Sequence, residues 1–105
     1  MAGFAELILE FLPTDLGGRR SPISLSADAV SRYRRHLRVI DGDELTLGVE
    51  FVDGPDEPVY PGMKTHATVR FRYEPGVCYD ALIVGARFEL LEGARAVAVG
   101  EVTRR

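Results

Sequence analysis

The sequence predicts an all-β domain, arranged as an antiparallel sandwich or barrel. Five segments show apolar and polar residues in alternation with a period of two, which is typical of strands that turn one face to a core. Clusters of glycine, proline and aspartate separate these segments, as expected for turns between strands. Five or six short strands joined by such turns favour an antiparallel all-β architecture.

The five alternating segments are 5–11, 45–51, 65–73, 82–90 and 95–103. We predict a strand in each of them, and the clearest alternation lies in the third. The last segment differs from the others because it carries apolar residues on both faces. A strand of that kind is expected to be covered on both sides.

The segment between the first two of these strands is ambiguous. Val30, Tyr33 and Leu37 recur there at helical spacing, and a serine precedes them where a helix could start. We therefore expect a short helical turn near 27–34 that runs into a further strand near 36–40.

Length and composition indicate one soluble domain. The 105 residues are enough for one ordinary core, and 46% of them are hydrophobic. The single cysteine, Cys78, excludes an intrachain disulfide and favours a reducing compartment. The first residues do not resemble a signal peptide, and no apolar run approaches the roughly 18 residues of a membrane helix. We expect a cytoplasmic protein that does not contact membranes.

Charge is unevenly distributed along the chain. Six arginines fall between positions 19 and 38, and seven acidic residues follow between 41 and 57. Arginine suits bidentate contact with phosphate or carboxylate, so the basic segment could be a surface that binds RNA or an acidic protein. The alternative is a solvated face whose arginines form ion pairs with the acidic segment. The net charge of −3 argues weakly against general affinity for nucleic acid.

The sequence offers no arrangement typical of an enzyme. It lacks the Gly-x-x-x-x-Gly-Lys-Ser/Thr phosphate loop, and its single lysine, Lys64, is expected in a strand and not after a glycine loop. His36, His66 and Cys78 do not have the spacing of metal ligands. We expect a non-catalytic protein with no cofactor, no metal ion and no bound nucleotide.

Five motifs follow one another in the order found in a known domain. They are Gly-Gly-Arg-Arg-Ser-Pro-Ile at 17–23, Tyr-Arg-Arg-His at 33–36, Val-Tyr-Pro-Gly at 59–62, Gly-Ala-Arg-Phe at 85–88, and Glu-Gly-x-Arg-x-Val-x-x-Gly-x-Val at 92–102. Together they resemble the C-terminal β-barrel, the third domain, of translation elongation factor Tu. The resemblance implies a six-stranded antiparallel β-barrel that here stands alone as a single domain, residues 1–105.

The resemblance also implies a set of binding residues. In that family the barrel packs on a GTPase domain and a second barrel, and it touches the T-stem backbone of aminoacyl-tRNA. The family pattern has a proline and a glutamine where this chain has Arg35 and His36. Four positions match the family's RNA contacts, and we add the two arginines that precede His36. The candidate RNA- or partner-binding residues are Arg19, Arg20, Arg34, Arg35, His36 and Gly93.

Several functions are compatible with this resemblance. The chain could be a binding module for a tRNA-like RNA or for a protein partner. It could instead be a regulatory protein that mimics the factor's barrel without binding RNA. A self-associating homo-oligomer is a third alternative, because the family barrel buries apolar surface against other domains, and this chain has to cover or blunt that surface.

Overall fold

A computed structural model describes residues 3–40 and 46–105 and shows a closed six-stranded antiparallel β-barrel. The strands are β1 Phe4–Phe11, β2 Arg34–Val39, β3 Thr46–Asp53, β4 Lys64–Phe71, β5 Arg87–Glu92 and β6 Arg95–Arg104. Around the barrel they follow the order β1-β4-β3-β2-β5-β6, and β6 closes the sheet on β1. The six-stranded barrel architecture expected from the sequence is confirmed.

The barrel has an upper end, where β1, β3 and β5 finish, and a lower end, where they begin. Residues 12–33 connect β1 to β2 at the upper end and contain one short 3-10 helix, Thr14–Leu16. Ile23 in this connection pairs with Val59 through two backbone hydrogen bonds of 2.9 and 2.8 Å. No helix among the described residues is long and apolar enough to cross a membrane.

Alternate apolar side chains from the strands fill the barrel. β1, for example, buries every second residue along its length. The aromatic side chains pack near the two ends of this core. Phe71 stacks on Tyr79 with 4.5 Å between ring centroids, and Tyr33 lies 5.3 Å from Phe51. Burial of these large apolar surfaces is the main driving force for closing the barrel.

Four of the five alternating segments form strands as predicted. The first, third and fifth correspond to β1, β4 and β6, although β4 ends at Phe71. The second, 45–51, corresponds to β3. Its first residue, Leu45, and the turn predicted at 41–43 lie outside the described residues.

The strand predicted over 82–90 is wrong in its first half, because β5 begins only at Arg87. Leu82 is fully buried, whereas Ile83 is exposed. Gly85 then adopts a φ of 89°, a left-handed conformation that suits a turn and not a strand. The apolar residues before β5 therefore belong to a loop at the lower end, where Leu82 fills the mouth of the barrel.

The helical turn predicted near 27–34 is also wrong. The residues of this segment form bends and turns, and β2 begins at Arg34. The Ser26 hydroxyl accepts a hydrogen bond from the Asp28 backbone N–H at 3.1 Å, which is a local turn and not the start of a helix. Val30, one of the residues that suggested helical spacing, is fully exposed.

The apolar residues on both faces of the last strand result from a β-bulge in β6. The prediction that this strand is covered on both sides is therefore wrong. Leu91 and Leu90 of β5 pair with Ala96 and Ala98 of β6. The register shifts between these two pairs, which leaves Val97 as an extra residue beside Ala98. A bulge can turn two successive side chains toward the same side, and both of these residues are fully buried. Val99, which follows them, is only partly buried.

Candidate functional site

Charge is divided between two halves of the barrel. The adjacent strands β4, β3 and β2, which we call the basic half, carry five basic and two acidic residues, a net charge of +3. Strands β5, β6 and β1 carry three basic and five acidic residues, a net charge of −2. The charged residues of the basic half are Arg34, Arg35, Arg38, Lys64, Arg70, Glu50 and Asp53. The strands of the basic half are therefore positively charged in a protein that is acidic overall.

A ladder of three charged residues crosses the basic half. Arg34 of β2, Glu50 of β3 and Arg70 of β4 occupy paired positions on neighbouring strands. Glu50 Oε2 accepts from Arg34 Nε at 2.7 Å, and Glu50 Oε1 accepts from Arg70 Nη2 at 2.9 Å. These hydrogen bonds hold the pKa of the Glu50 carboxyl below its usual range, although desolvation acts to raise it. We call these three residues the Glu50 ladder.

A groove of about 720 Å³ runs beside the Glu50 ladder. Its lining residues are Val30, Ser31, Arg32, Arg34, Arg35, Glu50 and Arg70. Arg32 is tied to β3, because its Nη1 donates to the Val52 carbonyl at 2.9 Å. Four arginines thus line the groove, and two of them engage both oxygens of the Glu50 carboxylate. We call this feature the arginine groove.

A second cluster adjoins the groove through Arg35. Glu92, at the end of β5, accepts hydrogen bonds from Arg19 Nη1 and from the Tyr33 hydroxyl. The guanidinium carbon of Arg35 lies 4.9 Å from the centroid of the Tyr33 ring, and that of Arg19 lies 5.7 Å from it. Arg35 Nε is 3.8 Å from the Glu92 carboxylate. We call Arg19, Tyr33, Arg35 and Glu92 the Glu92 cluster.

Proton affinities in the Glu92 cluster are shifted in opposite directions. Desolvation acts to raise the pKa of Glu92, but hydrogen bonds from Tyr33 and Arg19 and the charges of Arg19 and Arg35 outweigh it and lower the pKa. The pKa of Tyr33 is raised, first by burial and then by its hydrogen bond to Glu92. At neutral pH the carboxyl is therefore ionised and the phenol protonated, which makes the cluster a fixed support for Arg35.

We expect acid to destabilise the protein through Glu50 and Glu92. In the folded protein the pKa values of both carboxyls lie below the value of about 4.3 for a free glutamate. Their contribution to the free energy of unfolding is therefore fully present above the unfolded-state pKa, and it is lost as the pH falls through the folded-state pKa. Urea unfolding between about pH 7 and about pH 2 measures this loss. A Glu50→Gln/Glu92→Gln variant should be less stable at neutral pH and should lose less stability on acidification. An equal loss of unfolding free energy on acidification in the wild type and the variant would contradict the role given to Glu50 and Glu92.

The predicted site residues of β2 lie close to one another. Arg34 and Arg35 both line the arginine groove. His36 is exposed on the same strand and pairs with Gly48 of β3. Since Arg34 has a side chain that is 56% exposed, it remains available to a ligand while it holds Glu50.

The two arginines of the upper-end turn have different environments. Arg19 is directed onto Glu92, with a side chain only 15% exposed, and also donates from Nε to the Ser21 carbonyl at 3.2 Å. Arg20 is exposed and forms no ion pair within residues 3–40 and 46–105. The structure therefore favours Arg20 over Arg19 as a residue that could contact a partner.

Some arginines of the basic segment, residues 19–38, form ion pairs within the domain. Arg34 pairs with Glu50, which belongs to the acidic segment, as the alternative interpretation of the sequence expects. Arg38 pairs with Glu89 of β5 at 2.7 Å, outside that segment. The carboxylates that meet the arginines come mainly from β5, which sequence order did not indicate.

The glycines of the predicted site have local structural roles. Gly17 has a φ of 93° and ends the 3-10 helix in a left-handed conformation. A Cβ at Gly18 would lie 1.9 Å from the Leu12 carbonyl oxygen, so the chain itself occupies the space beside this glycine. Gly93 has a φ of 64° in the two-residue turn between β5 and β6, with no atom within 4 Å of a Cβ built there. The hairpin turn is sufficient reason for a glycine at this position.

Several residues of the site were not among the candidates predicted from the sequence. Arg32, Glu50 and Arg70 line the groove, and Glu92 holds the neighbouring cluster. Arg70 and Glu50 both stand at outward positions of their alternating strands, which is the signal that could have identified them. Their pairing depends on strand register, which the alternation alone does not give.

The chemistry available at this site is anion binding. Guanidinium groups stay protonated at physiological pH, so they donate hydrogen bonds and do not act as bases. Within the described part of the chain, no group of three or more His, Cys, Asp and Glu side chains could hold a metal ion. The arrangement suits the binding of phosphate or carboxylate groups.

No known family model matches the chain. No curated protein matches it either. The interpretation of the site therefore depends on its geometry and charge.

Proposed function

We propose that this protein is a non-catalytic, cytoplasmic RNA-binding module of the elongation factor Tu C-terminal barrel type. Its basic half would contact the phosphate backbone of a tRNA-like RNA. The observation that carries this proposal is the concentration of positive charge on β4, β3 and β2, with the arginine groove beside them. The closed six-stranded barrel supports the resemblance at the level of architecture.

Contact with phosphates fits the basic half better than recognition of bases. Arginine forks bind phosphate oxygens, and release of counterions from the RNA supplies affinity that is independent of sequence. Base stacking needs an accessible aromatic face. Tyr73, near the basic half, is 43% exposed, but its ring packs over Gly48 and has the Arg72 guanidinium 5.0 Å from its centroid, and these contacts compete with a base for the ring.

A protein partner or self-association is the second candidate function. Ile83 and Val84 are each 61% exposed at the lower end, beside Ile40, and neither lines the arginine groove. Exposed apolar residues in a group suit contact with another protein. An interface of this kind would respond little to salt, which separates it from RNA binding.

We expect tRNA to bind the protein with a strong dependence on salt. With about three to four phosphates contacted, the logarithm of the binding constant should fall with the logarithm of salt concentration with a slope of about −2 to −4. Fluorescence anisotropy of labelled tRNA between about 50 and 200 mM salt measures this slope. Absence of binding at low salt, or binding that salt does not weaken, would contradict the proposal and favour a protein partner.

A further inference from the structure

We propose that the arginine groove is a binding site for a single phosphate group, with Glu50 as the residue that positions two of its arginines. This inference deepens the proposed function by naming the subsite for an RNA phosphate, but the site would equally accept free inorganic phosphate. The first argument is charge. Among the described residues four arginines and one glutamate line the groove, a net charge of +3, or +2 when Arg35 is counted with its neighbour Glu92.

The carboxylate in the groove cannot compensate this charge. Both Glu50 oxygens accept hydrogen bonds from Arg34 and Arg70, and the Glu50 side chain is only 7% exposed. Arg32 and Arg35 are not bound to it among the described contacts. The Nη1 of each donates to a backbone carbonyl, and Arg35 Nε lies 3.8 Å from Glu92, which is outside the groove. An anion in the groove would lower the repulsion among the four like charges.

The arginines are held in place before a ligand arrives. Arg34 uses its Nε on Glu50, and no hydrogen bond of its two terminal nitrogens occurs within residues 3–40 and 46–105. Arg35 lies over the Tyr33 ring, and its Nε is buried without a hydrogen-bond partner. Since these guanidinium groups are oriented by Glu50 and Tyr33, a ligand would gain contacts with less loss of side-chain entropy.

Phosphate matches this arrangement better than carboxylate does. The four arginines of the lining come from the connection before β2, from β2 and from β4, so they can donate from several directions, and Ser31 of the same lining has a hydroxyl that can donate as well. A tetrahedral phosphate presents acceptor oxygens in as many directions, whereas a carboxylate presents two oxygens in one plane. An acidic peptide is therefore the less suitable ligand, and it serves as a comparison in the test.

NMR titration of the arginine Nε–H resonances with inorganic phosphate, at constant ionic strength set by chloride, tests the site. We expect saturable shifts of Arg32, Arg34 and Arg70. The Arg34→Lys variant keeps the charge but loses the fork, so its affinity for phosphate should fall by about tenfold. The matched control is Arg104→Lys, a conservative change of an arginine that is 79% exposed on β6, and it should leave the affinity unchanged.

Several outcomes would overturn the proposal. These are shifts that do not saturate, shifts shared by all arginines, and equal affinities in the wild type and Arg34→Lys. Arg32→Lys, which does not touch Glu50, replaces Arg34→Lys if that variant fails to fold. Tighter binding of a short polyglutamate peptide than of phosphate would overturn the choice of ligand.

A competition with tRNA separates this inference from the proposed function. Displacement of bound phosphate by tRNA would support both. Saturable phosphate binding in a protein that does not bind tRNA would confirm the groove as a phosphate site and overturn the proposed function alone.

Discussion

The Glu92→Ala variant is expected to lose about 3 kcal/mol of unfolding free energy, because removal of one partner from a buried ionic cluster leaves the others without compensation. Glu92 is the shared acceptor for Arg19 and for the Tyr33 hydroxyl, and its own side chain is only 18% exposed. Arg35 would also lose its nearest carboxylate. Urea unfolding monitored by circular dichroism measures the change.

Glu89→Ala provides the matched control, since it removes the same side chain from the same strand. Glu89 pairs with Arg38, and both of these side chains are at least 30% exposed. An exposed pair of this kind contributes about 0–1 kcal/mol, so the control should unfold close to the wild type. Equal losses in the two variants would show that Glu92 does not organise the upper end of the barrel.

The second large effect is expected for Gly18→Ala. The new Cβ would lie 1.9 Å from the Leu12 carbonyl oxygen and 2.6 Å from the Leu12 carbonyl carbon, and backbone atoms cannot move aside as a flexible side chain can. We expect a loss of about 3 kcal/mol or more of unfolding free energy, because the turn has to shift as a whole. This loss is at the upper limit of the effects of overpacking. That shift would also carry Arg19 away from Glu92.

The neighbouring glycine is the control for this second effect. Gly17 has a φ of 93° but nothing within 4 Å of a Cβ built on it. Gly17→Ala should therefore cost only the penalty of about 1–2 kcal/mol for a left-handed residue. Urea unfolding of the two variants side by side measures the difference. A larger loss for Gly17→Ala than for Gly18→Ala would contradict the packing argument.

The strands were predictable because one physical pattern determines them. Where one face of a strand meets the core and the other meets solvent, alternation records both the element and its orientation, as in β1 and β4. The pattern fails where burial has another cause. Leu82 is buried because it belongs to a loop that fills the lower end, and Val97 and Ala98 are both buried because of a bulge. A period of two therefore could not predict the structure at either place.

The site was harder to predict because its contacts join distant parts of the chain. Clustering along the sequence placed among the candidates Arg34 and Arg35, both of which line the groove. The contact of Arg19 with Glu92 spans 73 positions and that of Arg70 with Glu50 spans 20, and both depend on the order and register of strands. Alternation does not specify that order. Sequence therefore indicated which residues carry charge, but not which of them remain accessible to a ligand.

The most direct test of the RNA-binding surface compares two double variants with the same net charge. Arg20→Ala/Arg34→Ala removes one exposed arginine of the upper-end turn and one that lines the groove, and it leaves Arg70 on Glu50 and Arg19 on Glu92. Arg87→Ala/Arg104→Ala removes two exposed arginines from β5 and β6. Anisotropy of labelled tRNA across a salt series should show weaker binding by the first variant, with a salt slope shallower by about two, and wild-type behaviour of the second. Equal loss of binding in both variants would contradict a specific RNA surface on the basic half.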